Sequence, residues 1–114
     1  MLPRISRLKK NLDIERVFKK GKKVREGFLV LAVSQNDLAE TRFGFVVSQK
    51  VSKRAVQRNQ LKRRLRESIR PRVSEIKKGL DIILLATPGL EKKDFWEIKK
   101  TVNLLLKKSK CLRE

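Results

Sequence analysis

The sequence predicts an α+β protein, an α/β sandwich in which three helices pack on one small sheet of about four strands. Three observations predict it. Apolar residues recur at helical spacing in separate segments, short β-branched apolar runs lie between them, and Gly, Pro, Asn or Asp punctuates most junctions. In chain order the elements read αβββαβα across a single domain, residues 1–114, with no internal repeat or linker.

Residues 1–10 (MLPRISRLKK) form a basic arm. Asn11 is placed as the N-cap of the first helix, with Asp13 and Glu15 in its positive first turn. Ile14, Val17 and Phe18 fall at i, i+3 and i+4, and Gly21 ends the helix. Residues 22–27 read as a basic connector.

Residues 28–34 (FLVLAVS) are short, β-branched and apolar, hence a strand, and Asn36-Asp37 turns the chain after it. Residues 42–48 (RFGFVVS) alternate: Phe43, Phe45 and Val47 share one face, while Gly44, Val46 and Ser48 share the other. The face of small side chains leaves room for something to lie against it. A further short strand is placed at residues 49–51.

The central helix is expected from Ser52 to about Arg70, because Pro71 disfavours helix in the residue before it. Residues 72–79 form a short turn. The nearly continuous apolar run at 81–87 (DIILLAT) is the mark of a strand covered on both faces. After Pro88-Gly89, Phe95, Ile98, Val102 and Leu105 describe a final amphipathic helix over residues 93–108. Phe43, Phe45, Phe95 and Trp96 are assigned to packing, although Trp96 falls off the apolar stripe.

Composition restricts the function. Lys and Arg number 31 against 12 Asp and Glu, a formal charge of +19. Compacting so many like charges opposes folding, so the excess points to a polyanionic partner. A membrane-surface helix would carry aromatic and Leu residues across a broad apolar face, whereas the most basic helix here has only a narrow stripe. Nucleic acid is the favoured polyanion.

No histidine and no tyrosine are present, and Cys111 is the lone cysteine. A Cys/His zinc site and a His-activated nucleophile are excluded. The aspartates are scattered, so a self-sufficient hydrolase is not expected. The single thiol, the absence of an apolar signal region and the lack of any run of about 20 apolar residues fit a cytoplasmic protein. Cys111 itself has no functional reading.

In the central helix, Leu61, Leu65 and Ile69 stack at i, i+4 and i+8. Asn59, Lys62, Arg63 and Arg66 form a neighbouring stripe, with Arg58 beside the apolar residues. Lys50, Lys53 and Arg54 lie at or before the helix start, and Glu67 is the one acidic residue opposing them within the helix. A charged helix face is ordinarily just solvated. Here one sign predominates, so i,i+4 pairing does not explain it. Arg outnumbers Lys, which suits bidentate phosphate recognition, and the embedded Asn can bond base edges or sugar hydroxyls.

The residues Val47-Ser48-Gln49-Lys50-Val51, Ala55-Val56-Gln57-Arg58-Asn59-Gln60-Leu61-Lys62-Arg63 and Arg66-Glu67 resemble the signature of the bacterial ribonuclease P protein family. Arg7-Leu8-Lys9-Lys10, Asp13 and Val17-Phe18-Lys19-Lys20-Gly21 extend the resemblance over nearly the whole chain. Two positions depart: Gln60 stands where the family carries Arg, and Gln49 where Lys is usual.

The resemblance implies a mixed sheet with a left-handed βαβ crossover around the basic helix, against the usual right-handed rule. It implies a subunit of an endoribonuclease that removes the 5′ leader of precursor tRNA. The partner RNA carries catalysis with Mg²⁺, and the protein alone is inactive and holds no cofactor of its own. Arg58, Asn59, Lys62, Arg63 and Arg66 correspond to RNA contacts. Ile14, Phe18, Leu31 and Val46 would line a leader cleft between the first helix and the sheet, with Lys62 and Arg66 beside it. The partners implied are the catalytic RNA and precursor tRNA, with no membrane and no protein partner. The rival reading is a structural RNA-binding protein of ribosomal type, which shares charge and size; a protein-only nuclease is the more distant one.

Overall fold

The computed structural model describes residues 6–7 and 11–113. Its elements are β1 (Ser6–Arg7), α1 (Asn11–Lys20), β2 (Lys22–Glu26), β3 (Leu29–Gln35), β4 (Arg42–Val46), α2 (Ala55–Ile69), β5 (Leu80–Ala86) and α3 (Phe95–Lys108). Short 3₁₀ turns cover Arg70–Glu75 and Leu90–Lys92. The strands join in one mixed sheet ordered β1-β4-β5-β3-β2. β4 and β5 are parallel neighbours joined through α2, a βαβ unit around the basic helix, and β3 is antiparallel to both β5 and β2. Apart from Ser6–Arg7, which pairs parallel to β4, the expected basic arm lies outside the described residues.

Alternation along the strands divides the molecule into two layers of unequal size. Leu29 and Leu31 of β3, Phe43 of β4 and Ile82 and Leu84 of β5 point to the side covered by α2 and α3. Leu61, Leu65 and Ile69 of α2 and Ile98, Val102 and Leu105 of α3 close this main core, as the helical spacing requires. Each such side chain contributes about 1.5–3 kcal/mol by leaving water. On the opposite face, Ala32 and Ile83 meet Val17 of the shorter α1 in a second, smaller cluster.

Residues 22–27 were expected as a connector, but Lys22–Glu26 is a strand, in register from Lys22 opposite Val33 to Glu26 opposite Leu29. Its sequence, KKVRE, hides the strand because β2 is the sheet edge. Charges on an edge discourage pairing with another chain, and here only Val24 reaches the main core. The strand expected at residues 49–51 is instead a turn, closed by Val51 N–H donating to Ser48 O at 3.1 Å. The strand order αβββαβα therefore holds with β2 supplying the extra strand. Phe28, expected inside β3, sits in the β2–β3 turn and is partly exposed.

Helix starts also differ from the expectation. The central helix begins at Ala55 rather than Ser52, since Ser52 Oγ accepts the Arg54 N–H and turns the chain into the helix. α3 begins at Phe95, capped by Asp94, whose carboxylate accepts the Glu97 N–H at 2.8 Å. Gly21 ends α1 for a steric reason: a Cβ there would lie 2.4 Å from Val17 O and 2.5 Å from Val33 O. At the far end of the α1-side sheet face, Asp81 is buried. It accepts two hydrogen bonds from the Arg42 guanidinium at 2.9 and 2.8 Å and one from Asn36 at 2.9 Å. These bonds push the Arg42 pKa above its ordinary value, and a buried carboxylate is thereby satisfied.

Candidate nucleic-acid interface

α2 is anchored by Leu61, Leu65, Ser68 and Ile69, which are buried. The Ser68 hydroxyl donates to Arg64 O at 2.7 Å, so even this buried polar group stays within the helix. Turning 100° per residue, the remaining surface presents Asn59 and Arg63 exposed and Lys62 and Arg66 half-buried beside the apolar stripe. Arg66 holds its guanidinium 5.9 Å from the centroid of Phe45, a contact that supports the side chain against β4.

The helix start is electrostatically unusual. α1 has Asp13 and α3 has Glu97 in the first turn, where carboxylates offset the positive end of the helix dipole. α2 has no acidic residue there, and its N-cap Arg54 makes no side-chain capping bond. Lys50, Lys53 and Arg54 are exposed around that end. Positive charge added to a positive helix terminus is unfavourable alone and becomes favourable once an anion is seated there.

Arg58 has a more defined position than the sequence could show. Its Nη1 donates to Ser52 O and to Lys53 O, each at 3.0 Å. It ties the turn carrying Lys50 and Lys53 to the helix carrying Asn59, Lys62 and Arg63. Ser52 Oγ donates to Gln57 Oε1 at 2.5 Å and tightens the same junction. Gln60 is exposed and lies on the far side of α2 from Lys62 and Arg66.

On the other sheet face, Ile14, Phe18 and Val46 are half-buried and pack on Val17, Ala32 and Ile83. Leu31 does not join them. It is fully buried in the main core on the α2/α3 side, because residues of a strand alternate between faces and its neighbours Val30 and Ala32 take the α1 side. Lys62 and Arg66 are also outside this cluster: they stand on the helix across the sheet, with β4 between.

Of the floor beside α1, sequence reasoning found only Val46. Arg25, Val30, Leu85 and Val46 are successive cross-strand neighbours in one row across β2, β3, β5 and β4. The three apolar members are only half-buried, whereas Ala32 and Ile83 in the row beneath α1 are fully buried. A partly open apolar trough thus runs along α1, and Lys23 edges it with its ammonium 5.9 Å from the Phe18 ring. β4 betrayed its half of this surface by alternation. β3 and β5 are apolar on both faces, so their sequences carry no face signal.

A stripe of cations on a helix with an unneutralised positive end, beside a sheet with an apolar trough on its reverse face, defines an α+β nucleic-acid-binding protein. The Ribonuclease P family pattern matches residues 2–110. A ribonuclease P protein component from a Pseudanabaena species is 38% identical over 113 residues, covering 98% of this chain and 97% of that protein. The corresponding component from Caldanaerobacter subterraneus is 35% identical and covers 100% of this chain and 97% of its own. The structure of the Staphylococcus aureus RNase P protein superposes with a TM-score of 0.87 at 32% identity, covering 96% of this chain and 100% of that one. That from Thermotoga maritima gives 0.80 at 33% identity, covering 90% and 96%. The chain belongs to the ribonuclease P protein family. It is a protein subunit of an endoribonuclease holoenzyme of tRNA maturation, with an RNA partner, and the ribosomal-type alternative falls away.

Proposed function

We propose that the two sheet faces divide the work: the α2 side grips the catalytic RNA, and the α1 side guides the 5′ leader of precursor tRNA. The observation that carries this reading is the uncompensated positive start of α2, with Lys50, Lys53 and Arg54 exposed around it and Arg58 fixing their turn. Asn59, Lys62, Arg63 and Arg66 continue the contact along the helix. Neutralising phosphates there releases counterions, which makes binding steeply salt-dependent.

The leader lies in the trough floored by Val30, Leu85 and Val46 and walled by Ile14 and Phe18. Single-stranded nucleic acid suits it, because an aromatic edge takes a base while Lys23 and Arg25 take phosphates. The Mg²⁺ ions of the reaction are held by the RNA, and this chain, which has no histidine, contributes no catalytic side chain. Its effect on rate is indirect: it screens repulsion between two RNAs and keeps the scissile bond near the RNA's metals.

Reconstitution tests the proposal. Added to a bacterial ribonuclease P RNA, the chain lowers the Mg²⁺ needed to cleave precursor tRNA, and the benefit grows with leader length up to the span of the trough. Arg63→Ala weakens assembly with the RNA. A benefit indifferent to the presence of a leader would remove the α1 side from the account.

A further inference from the structure

Trp96 is 72% exposed, on the side of α3 opposite Ile98, Val102 and Leu105. By helical spacing Trp96, Lys100 and Lys107 recur at i, i+4 and i+11 along that outward face, and both lysines are exposed. The Lys99 ammonium lies 5.5 Å from the Trp96 ring centroid, and the Phe95 ring meets Trp96 edge-on at 5.9 Å. Among the described residues, Lys93 pairs with Glu97 and Lys108 with Glu26, but no acidic group pairs with Lys100 or Lys107. An indole held in place, open to solvent and flanked by unpaired ammonium groups is what a base stack beside a phosphate chain requires.

We infer that the outward face of α3 is a second RNA-contact surface, on which Trp96 stacks an unpaired base of the same structured RNA that α2 grips. The inference rests on the RNA-binding reading of α2. Topology selects this RNA over the leader. α2 lies over β4 and α3 over β2 and β3, packed together on one sheet face, whereas the trough is on the reverse face. An RNA surface seated on α2 reaches α3 without crossing the sheet. Lys100 and Lys107 then meet the phosphates flanking the stacked base.

The chain has a single Trp and no Tyr, so its intrinsic emission reports Trp96 directly. Titration with ribonuclease P RNA should quench that emission at saturation, and a single-stranded leader oligonucleotide should not. Trp96→Ala should lower affinity for the RNA about five- to a hundredfold, with Trp96→Phe recovering part of the loss. The double substitution Lys100→Gln, Lys107→Gln should reduce the salt slope by about one per lost phosphate contact. Because Trp96 is exposed, circular dichroism of each variant should match the wild type. Arg63→Ala should weaken binding yet leave the quench at saturation. Tight binding with unchanged emission and an unaffected Trp96→Ala variant overturns this surface and leaves α2 standing. Quenching by the leader oligonucleotide alone overturns the assignment to the structured RNA. If the wild type binds no RNA, both fail together.

Discussion

The Lys23 ammonium on edge strand β2 sits 5.9 Å from the ring centroid of Phe18 on α1. The pair bridges helix and sheet at the rim of the trough, joining an aromatic ring to a cation at the spot where a leader base and its phosphate would enter. Phe18→Leu keeps most of the packing on Val17 and Ile83 but removes the ring. It should lower affinity for precursor tRNA with a leader by about 1–3 kcal/mol and leave leaderless tRNA unaffected, as a pair of binding isotherms would reveal. Lys23→Gln should act in the same direction and chiefly at low salt.

Leu31 and Val30 are chain neighbours on opposite faces, and their variants should separate stability from binding. Leu31→Ala opens a cavity in the main core and should destabilise the fold by about 2–5 kcal/mol in urea titrations, with leader affinity intact while the protein stays folded. Val30→Ala should cost about 1 kcal/mol of stability, because the side chain is only half-buried, yet weaken leader binding. Reversal of these two phenotypes would mean the trough is on the wrong face.

Gln60, where the resemblance of the sequence implies Arg, is exposed on the far side of α2 from Lys62 and Arg66. Gln60→Arg should tighten association with the catalytic RNA modestly and steepen the salt dependence by about one phosphate or less. Filter binding across a salt series measures both. Unchanged affinity would show that this flank of the helix never meets the RNA.

Cys111 is fully buried, and burial pushes its thiol pKa up from 9.0, with the Ser109 hydroxyl hydrogen bond to Sγ opposing in part. A raised pKa means the folded state holds the proton more tightly than the unfolded chain. The associated stability is therefore fully present below about pH 9 and declines as pH rises through the unfolded and then the folded pKa. Native protein should resist alkylation at neutral pH and react once unfolded. Urea melts between pH 8 and about pH 10 should show a fall in stability that is smaller in Cys111→Ala.

The helical faces were legible in the chain itself. Leu61, Leu65 and Ile69 announced their burial by spacing alone, and the cations between them fall on the helix's other faces. The alternation of Phe43 and Phe45 with Gly44 and Val46 likewise assigned β4 to its two layers. β2 was hidden, because an edge strand needs charge more than it needs apolar residues, and KKVRE reads as a loop without its partner β3. Asp94 as the cap of α3 was present as a residue and missed as a signal.

The misplacement of Leu31 shows where sequence stops. Leu29–Gln35 and Leu80–Ala86 are strands with apolar residues on both faces, so hydrophobicity has no period in them and cannot say which side a residue takes. Which helix covers which face, and the row that Arg25, Val30, Leu85 and Val46 form across four strands, exist only through register. By itself the sequence determined the charge, the helical stripes and hence the class of partner, since these depend on residue identity and spacing within one element. The trough and the turn fastened by Arg58 were decided by tertiary structure, because each is a relation between segments that no local pattern encodes.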